Sequence, residues 1–113
     1  MAGSAEGSRV DRELRQADHW RSQGRMGRAR VCARRAAGWA IVPLYRQATG
    51  ENPPASALRL LDWYRGFAAA PLHLRRAAER LTAHVDRDHN LPFAEDPIDD
   101  ARRIVEGLRS TTA

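Results

Sequence analysis

The chain has no lysine: all 19 of its basic residues are arginine. Lysine binds phosphate as a point charge, so selection for phosphate contact seldom removes it altogether. The Arg- and Ala-biased codon usage of a GC-rich genome accounts for the absence more simply, and the net charge of +5 is correspondingly weak evidence for nucleic acid. A single cysteine, Cys32, excludes an internal disulfide and suits a reducing compartment. Residues 1–9 lack an apolar signal-peptide core. The longest nearly apolar run, residues 36–45, is about half a membrane span and contains Pro43. A cytoplasmic protein with no membrane association is expected. No segment alternates in the manner of a strand, and no glycine-rich phosphate loop, nucleophile elbow, CxxC pair or paired-carboxylate motif is present. No cofactor and no metal site are expected.

What is present is helical periodicity. At 113 residues the chain has room for one core. Residues 1–8 are rich in Gly, Ser and Ala and read as a disordered tail, leaving 9–110 as a single helical domain. A first helix over 9–23 would bury Val10, Leu14, Ala17 and Trp20 or Arg21, and Gly24 and Gly27 would form the turn after it. The second helix, 28–49, carries a stripe of Ala29, Ala33, Ala36 and Ala40, extended by Ala37 and Leu44. Side chains this small admit a close neighbour, so this helix should be central, with Pro43 kinking it. A third helix over 55–69, opened by Pro54, shows a wide stripe including Leu58, Leu61, Tyr64 and Ala68, which implies contact on two sides. The fourth should run from Pro71 to about Asp86. In the last, Asp96 is a natural cap, Pro97 fits the first helical position, and Asp99 and Asp100 complement the helix dipole. The expected fold class is all-α: a small five-helix bundle opened by a long antiparallel hairpin. Charge is uneven, with nine Arg against four acids in 1–35 and four against seven in 86–113. That asymmetry permits head-to-tail docking as readily as RNA binding.

The pattern Ala17-x-x-Trp20-x-x-x-Gly24, followed by Ala29 and Cys32-Ala33-Arg34-Arg35-Ala36-Ala37, resembles the HEPN domains, small helical bundles of prokaryotic nucleotide- and RNA-related systems. The resemblance covers about residues 10–85. It implies a HEPN-like bundle and an RNA- or nucleotide-directed role of the toxin–antitoxin kind, with a ribonuclease motif of an Arg and a His separated by four to six intervening residues. Here Arg80 and His84 have three residues between them. The departure points to a divergent or degenerate member without catalytic residues.

Two sets of residues stand out as binding candidates. Arg80 and His84 share a helix face, where guanidinium could hold phosphate and imidazole could move a proton. Arg28, Arg35 and Trp39, with Cys32, share a face of the second helix, and Arg35 could stack on Trp39 while binding a nucleotide. Such a face more often packs under another helix, the arginine stems covering apolar surface. The run His84-x-Asp86-x-Asp88-His89 has metal-ligating residue types, but contiguous ligands rarely close a coordination sphere, so a polar loop is the reading. Cys32 reads as a small core residue. The expectation is a non-enzymatic binding module acting as a homo-oligomer. Trp39, Trp63 and Phe67 would lie at the contact, with a partner protein, a nucleotide or RNA as further partners.

Overall fold

The computed structural model describes residues 5–83 and 92–111. Among the described residues there are five helices and no strand: α1 Ala5–Ser22, α2 Met26–Thr49, α3 Ala57–Arg65, α4 Leu72–Thr82 and α5 Pro97–Thr111. The all-α class read from the periodicity is what the chain adopts. Helix α1 begins at Ala5 rather than Arg9. It ends in a Schellman motif: the N–H of Arg25 donates to the Trp20 carbonyl at 2.8 Å and that of Gly24 to the Arg21 carbonyl at 3.0 Å. Gly24 takes the left-handed conformation this requires, with φ of 73°. Gly27, expected to share the turn, lies inside α2 instead.

Helix α2 is the spine, roughly 36 Å long at 1.5 Å per residue, and packs against α1, α3 and α5. Ala29, Ala33, Ala36 and Ala37 are fully buried as the stripe predicts, whereas Ala40 and Leu44 are only half-buried. The buried surface is wider than the stripe, adding Gly38, Ile41 and Val42. Packing on several flanks explains why α2 continues through Pro43: contact along the helix outweighs the roughly 3 kcal/mol that an internal proline costs. Gly50 then stops it, its N–H donating to the Arg46 carbonyl at 2.8 Å with φ of 70°.

The connector 51–56 doubles back along α2, so α3 starts level with Gly38 and has reached Tyr45 by Trp63. Ser56, not Pro54, begins α3. Its hydroxyl accepts the Arg59 N–H at 3.3 Å, and helix geometry starts only at Ala57. Gly66 closes the helix four residues before the expected end, which leaves Ala68 beyond it, and Leu58 in the first turn faces solvent. Leu60, Leu61 and Tyr64 fill it, between α2 on one side and α4 on the other. Helix α4 ends at Thr82, earlier than expected, because Ala83 is extended and Arg34 of α2 takes the Leu81 and Ala83 carbonyls at 2.6 and 3.2 Å. The expected continuation to Asp86, with Val85, lies outside the described residues.

Asp96 caps α5 as its sequence predicts, one carboxylate oxygen accepting the Ile98 N–H at 2.7 Å and the Asp99 N–H at 3.4 Å. Helix α5 runs antiparallel to α1 and is tied to it along its length. Arg21 meets Asp96 at 3.3 Å, Arg102 donates to Asp18, and Arg109 meets Asp11 at 2.8 Å. Such exposed pairs are each worth about 0–1 kcal/mol and set register more than stability. The cap is worth more. Asp96→Ala should cost ~0.5–2 kcal/mol and speed amide exchange in the first turn of α5. Unchanged exchange there would show that Asp96 holds nothing.

Candidate functional site

Because the α1–α2 turn is short, residues equidistant from Gly24 face each other across the hairpin: Trp20 and Arg28 four away, Glu13 and Arg35 eleven away, Arg9 and Trp39 fifteen away. The result is a seam of reciprocal pairs. Arg28 of α2 lies over the Trp20 ring, its Cζ 4.7 Å from the centroid, and Arg9 of α1 lies over Trp39 at 4.3 Å. The cation on Trp39 is therefore Arg9 from across the seam, not Arg35 from the same helix; the neighbouring helix approaches the ring more closely. Each stack contributes about 0.5–1 kcal/mol at such exposed sites.

Between the stacks lies Cys32, buried as expected of a core residue. Burial pushes its thiol above the ordinary value. The charge of Glu13 and a hydrogen bond with it act in the same direction, and Arg35 opposes them. The thiolate form is disfavoured and the sulfur is a poor nucleophile.

Beyond the seam the returning connector completes a cleft of about 670 Å³. Its floor is Gly38, Trp39, Val42 and Leu60, and one wall is the rigid run from Asn52 to Ala55. Arg9, Arg35, Arg46 and Glu13 line the rest, three guanidinium groups against one carboxylate. Gly38 is what lets the wall close. A Cβ there would lie 3.0 Å from the Ala57 Cβ and 3.1 Å from its Cα. Among the described residues, no hydrogen bond or ion pair holds the exposed Arg35. A cationic rim over an indole and aliphatic floor is suited to an anion carried on a flat or apolar body, in a volume typical of ligand pockets.

Of the residues singled out in the sequence, Arg28, Arg35 and Trp39 lie together along this seam. Arg80 does not join them. It faces α5, where its Nε and Nη2 donate to both oxygens of Asp100 at 2.9 and 2.7 Å. Asp100 is 1% exposed and accepts a third bond from Arg103 Nη1 at 2.8 Å. This contact raises the Arg80 pKa, the hydrogen bond leading, burial opposing it, and the charges of Asp100, Glu95 and Glu79 adding to the rise. Arg80 is thus the partner of a buried carboxylate, a role that pairing it with His84 did not foresee. His84 itself, with Asp86, Asp88 and His89, lies outside the described residues. Among the described residues no group of three or more His, Cys, Asp or Glu could hold a metal ion, and no helix is long and apolar enough to cross a membrane.

The aromatics expected at a subunit contact find partners within the chain. Trp63 stacks on Phe67 at 4.8 Å and meets Tyr45 edge-on at 5.0 Å. Sequence reasoning missed Arg9, Glu13, Arg46 and the connector wall. The symmetric spacing about Gly24 was the signal for Arg9 and Glu13; nothing local marked the other two. Comparisons with protein-family models, curated proteins and solved structures find no match to this chain.

Proposed function

We propose that the protein is a non-enzymatic binding module whose cleft takes a small anion with a flat ring, of the nucleotide kind. One observation carries this reading: Arg9, stacked on Trp39, lines with Arg35 and Arg46 a cleft in which, among the described residues, there is no hydroxyl, thiol or imidazole side chain. With Glu13 as the only titratable acid there, the lining favours holding a ligand over transforming it. The ring would stack on the indole in place of, or above, the Arg9 guanidinium, and Arg35 would meet the phosphate.

Calorimetric titration with adenosine and guanosine monophosphates should give saturable binding. Trp39→Leu should weaken it by roughly 5- to 150-fold, the equivalent of one lost base stack of about 1–3 kcal/mol. Absence of saturable binding by either nucleotide at millimolar concentration would end this reading.

A HEPN-like arrangement of residues 10–85 belongs to the same proposal, supported by the order of a long first hairpin, a second helical pair and a last helix. The engagement of Arg80 with Asp100 favours a binding member over a ribonuclease. Self-association is the second reading. Phe67, Leu44, Leu74 and Leu108 line an apolar groove of about 380 Å³, and nearby Leu72 is 54% exposed, a surface that a second copy could cover. Light scattering should then show a dimer at micromolar concentration. A mass that stays near 12.7 kDa would remove this reading.

A further inference from the structure

The buried carboxylate of Asp100 does more than neutralise one arginine. Its two oxygens accept Nε and Nη2 of Arg80 and Nη1 of Arg103, so two guanidinium groups from different helices are clamped by a single acid. Arg76, one turn before Arg80 and exposed, stands beside them. Together with Leu72 and His73 these three arginines line a depression of about 480 Å³ with no carboxylate in its lining among the described residues. Asp100 lies beneath them, 1% exposed, Glu95 pairs with Arg80 Nη1 at 3.9 Å, and the charge of Glu79 also acts on Arg80.

A structural ion pair needs one arginine for one aspartate. Arg80 is shared between Asp100 and Glu95, whereas Arg76 makes no hydrogen bond or ion pair among the described residues, so the shelf keeps a guanidinium charge that no acid pairs. Two of the three arginines are already fixed in orientation, so binding an anion costs little further side-chain entropy. A phosphoryl group, with close to two negative charges and three acceptor oxygens, matches the guanidinium of Arg76 together with the edges of Arg80 and Arg103 that Asp100 leaves open.

We propose that this α4–α5 shelf is a binding site for the phosphoryl group of a phosphomonoester, gripped by Arg76, Arg80 and Arg103. It is independent of the cleft. Among the described residues its one ring is the exposed imidazole of His73, with no phenyl or indole group, so it recognises the charged group more than the body that carries it. The phosphomonoester could be a free small molecule or a phosphorylated side chain of another protein, and both present the same chemistry.

The test is an amide and arginine Nε NMR titration of the full chain at low ionic strength. The probes are phenyl phosphate and a phosphoserine peptide, with chloride at matched ionic strength as control. Saturable shifts centred on Arg76, Arg80 and Arg103 are expected with both phosphate probes. Arg76→Glu should weaken binding about tenfold or more, as expected when a charge-assisted hydrogen bond is replaced by repulsion. Arg35→Glu, on the cleft, should leave shelf binding unchanged, so failure of the cleft reading and failure of this one are separable. Arg103→Gln, which keeps the stem and removes the charge, provides a second measurement that does not repel Asp100. A peptide that binds more tightly than phenyl phosphate assigns the shelf to a phosphoprotein, and equal affinity assigns it to a small phosphomonoester. Shifts that chloride reproduces, or binding that survives Arg76→Glu and Arg103→Gln, would overturn the proposal.

Discussion

Replacing Asp100 with alanine should destabilise the fold by about 3 kcal/mol, at the lower end of what removing one partner of a buried ion pair costs. The carboxylate is 1% exposed and accepts three guanidinium N–H bonds. Its loss leaves two cations facing an empty, dry space between α4 and α5. The cost stays at the lower end because the stranded groups can turn toward water: the side chains of Arg80 and Arg103 are 22% and 48% exposed. Asp100→Asn, which keeps the shape and one acceptor oxygen, should fall between alanine and wild type. Truncating the exposed Arg103 should cost under about 1 kcal/mol. Urea denaturation of the three variants reads the order directly. A loss under about 1 kcal/mol for Asp100→Ala would mean that the buried pair is not a structural clasp.

Gly38→Leu should cost ~1–3 kcal/mol or more by overpacking the α2–α3 contact. The atoms a side chain would meet are the Cβ and Cα of Ala57, at 3.0 and 3.1 Å from an added Cβ. Backbone cannot swing aside as the tip of a long side chain can, so α3 and the connector must move away from α2 together. The cleft is lined by both Gly38 and Ala57 and should lose its wall in the same step. Gly27 is the internal control. It also lies within α2, but nothing stands within 4 Å of an added Cβ. Gly27→Ala should therefore raise stability by about 0.4–1 kcal/mol through helix propensity and reduced freedom of the unfolded chain. Thermal melts in which both glycine variants respond alike would show that close approach at Gly38 is not what selects glycine there.

Features controlled by near neighbours were legible in the residues themselves. The alanine stripe marked α2 as central because its period is a property of one helix. Asp96-Pro97 marked the start of α5 because the capping bonds reach only two and three residues ahead. Gly24 marked the hairpin turn, and with a turn so short the facing of Arg9 with Trp39 and of Arg28 with Trp20 follows by counting outward from it. That count, with the shared face of Arg35 and Trp39, was the part of the cleft within reach of sequence alone.

The remaining features were decided in three dimensions. Pro54 reads as the opening of the third helix, but Ser56 caps it where the connector folds back on α2 at Gly38. The same fold-back brings Asn52 to Ala55 against Arg35 and Arg46, residues with no spacing that would pair them beforehand. By its spacing Arg80 reads as a phosphate-binding partner of His84. It is joined to Asp100, twenty residues on, because α4 and α5 pack antiparallel. Periodicity and caps act over a turn or two of one helix, so the chain declares them locally. Which arginine meets which acid, and where a cleft is left between helices, depends on rigid bodies docking on a shared core, and no stretch of sequence carries that arrangement alone.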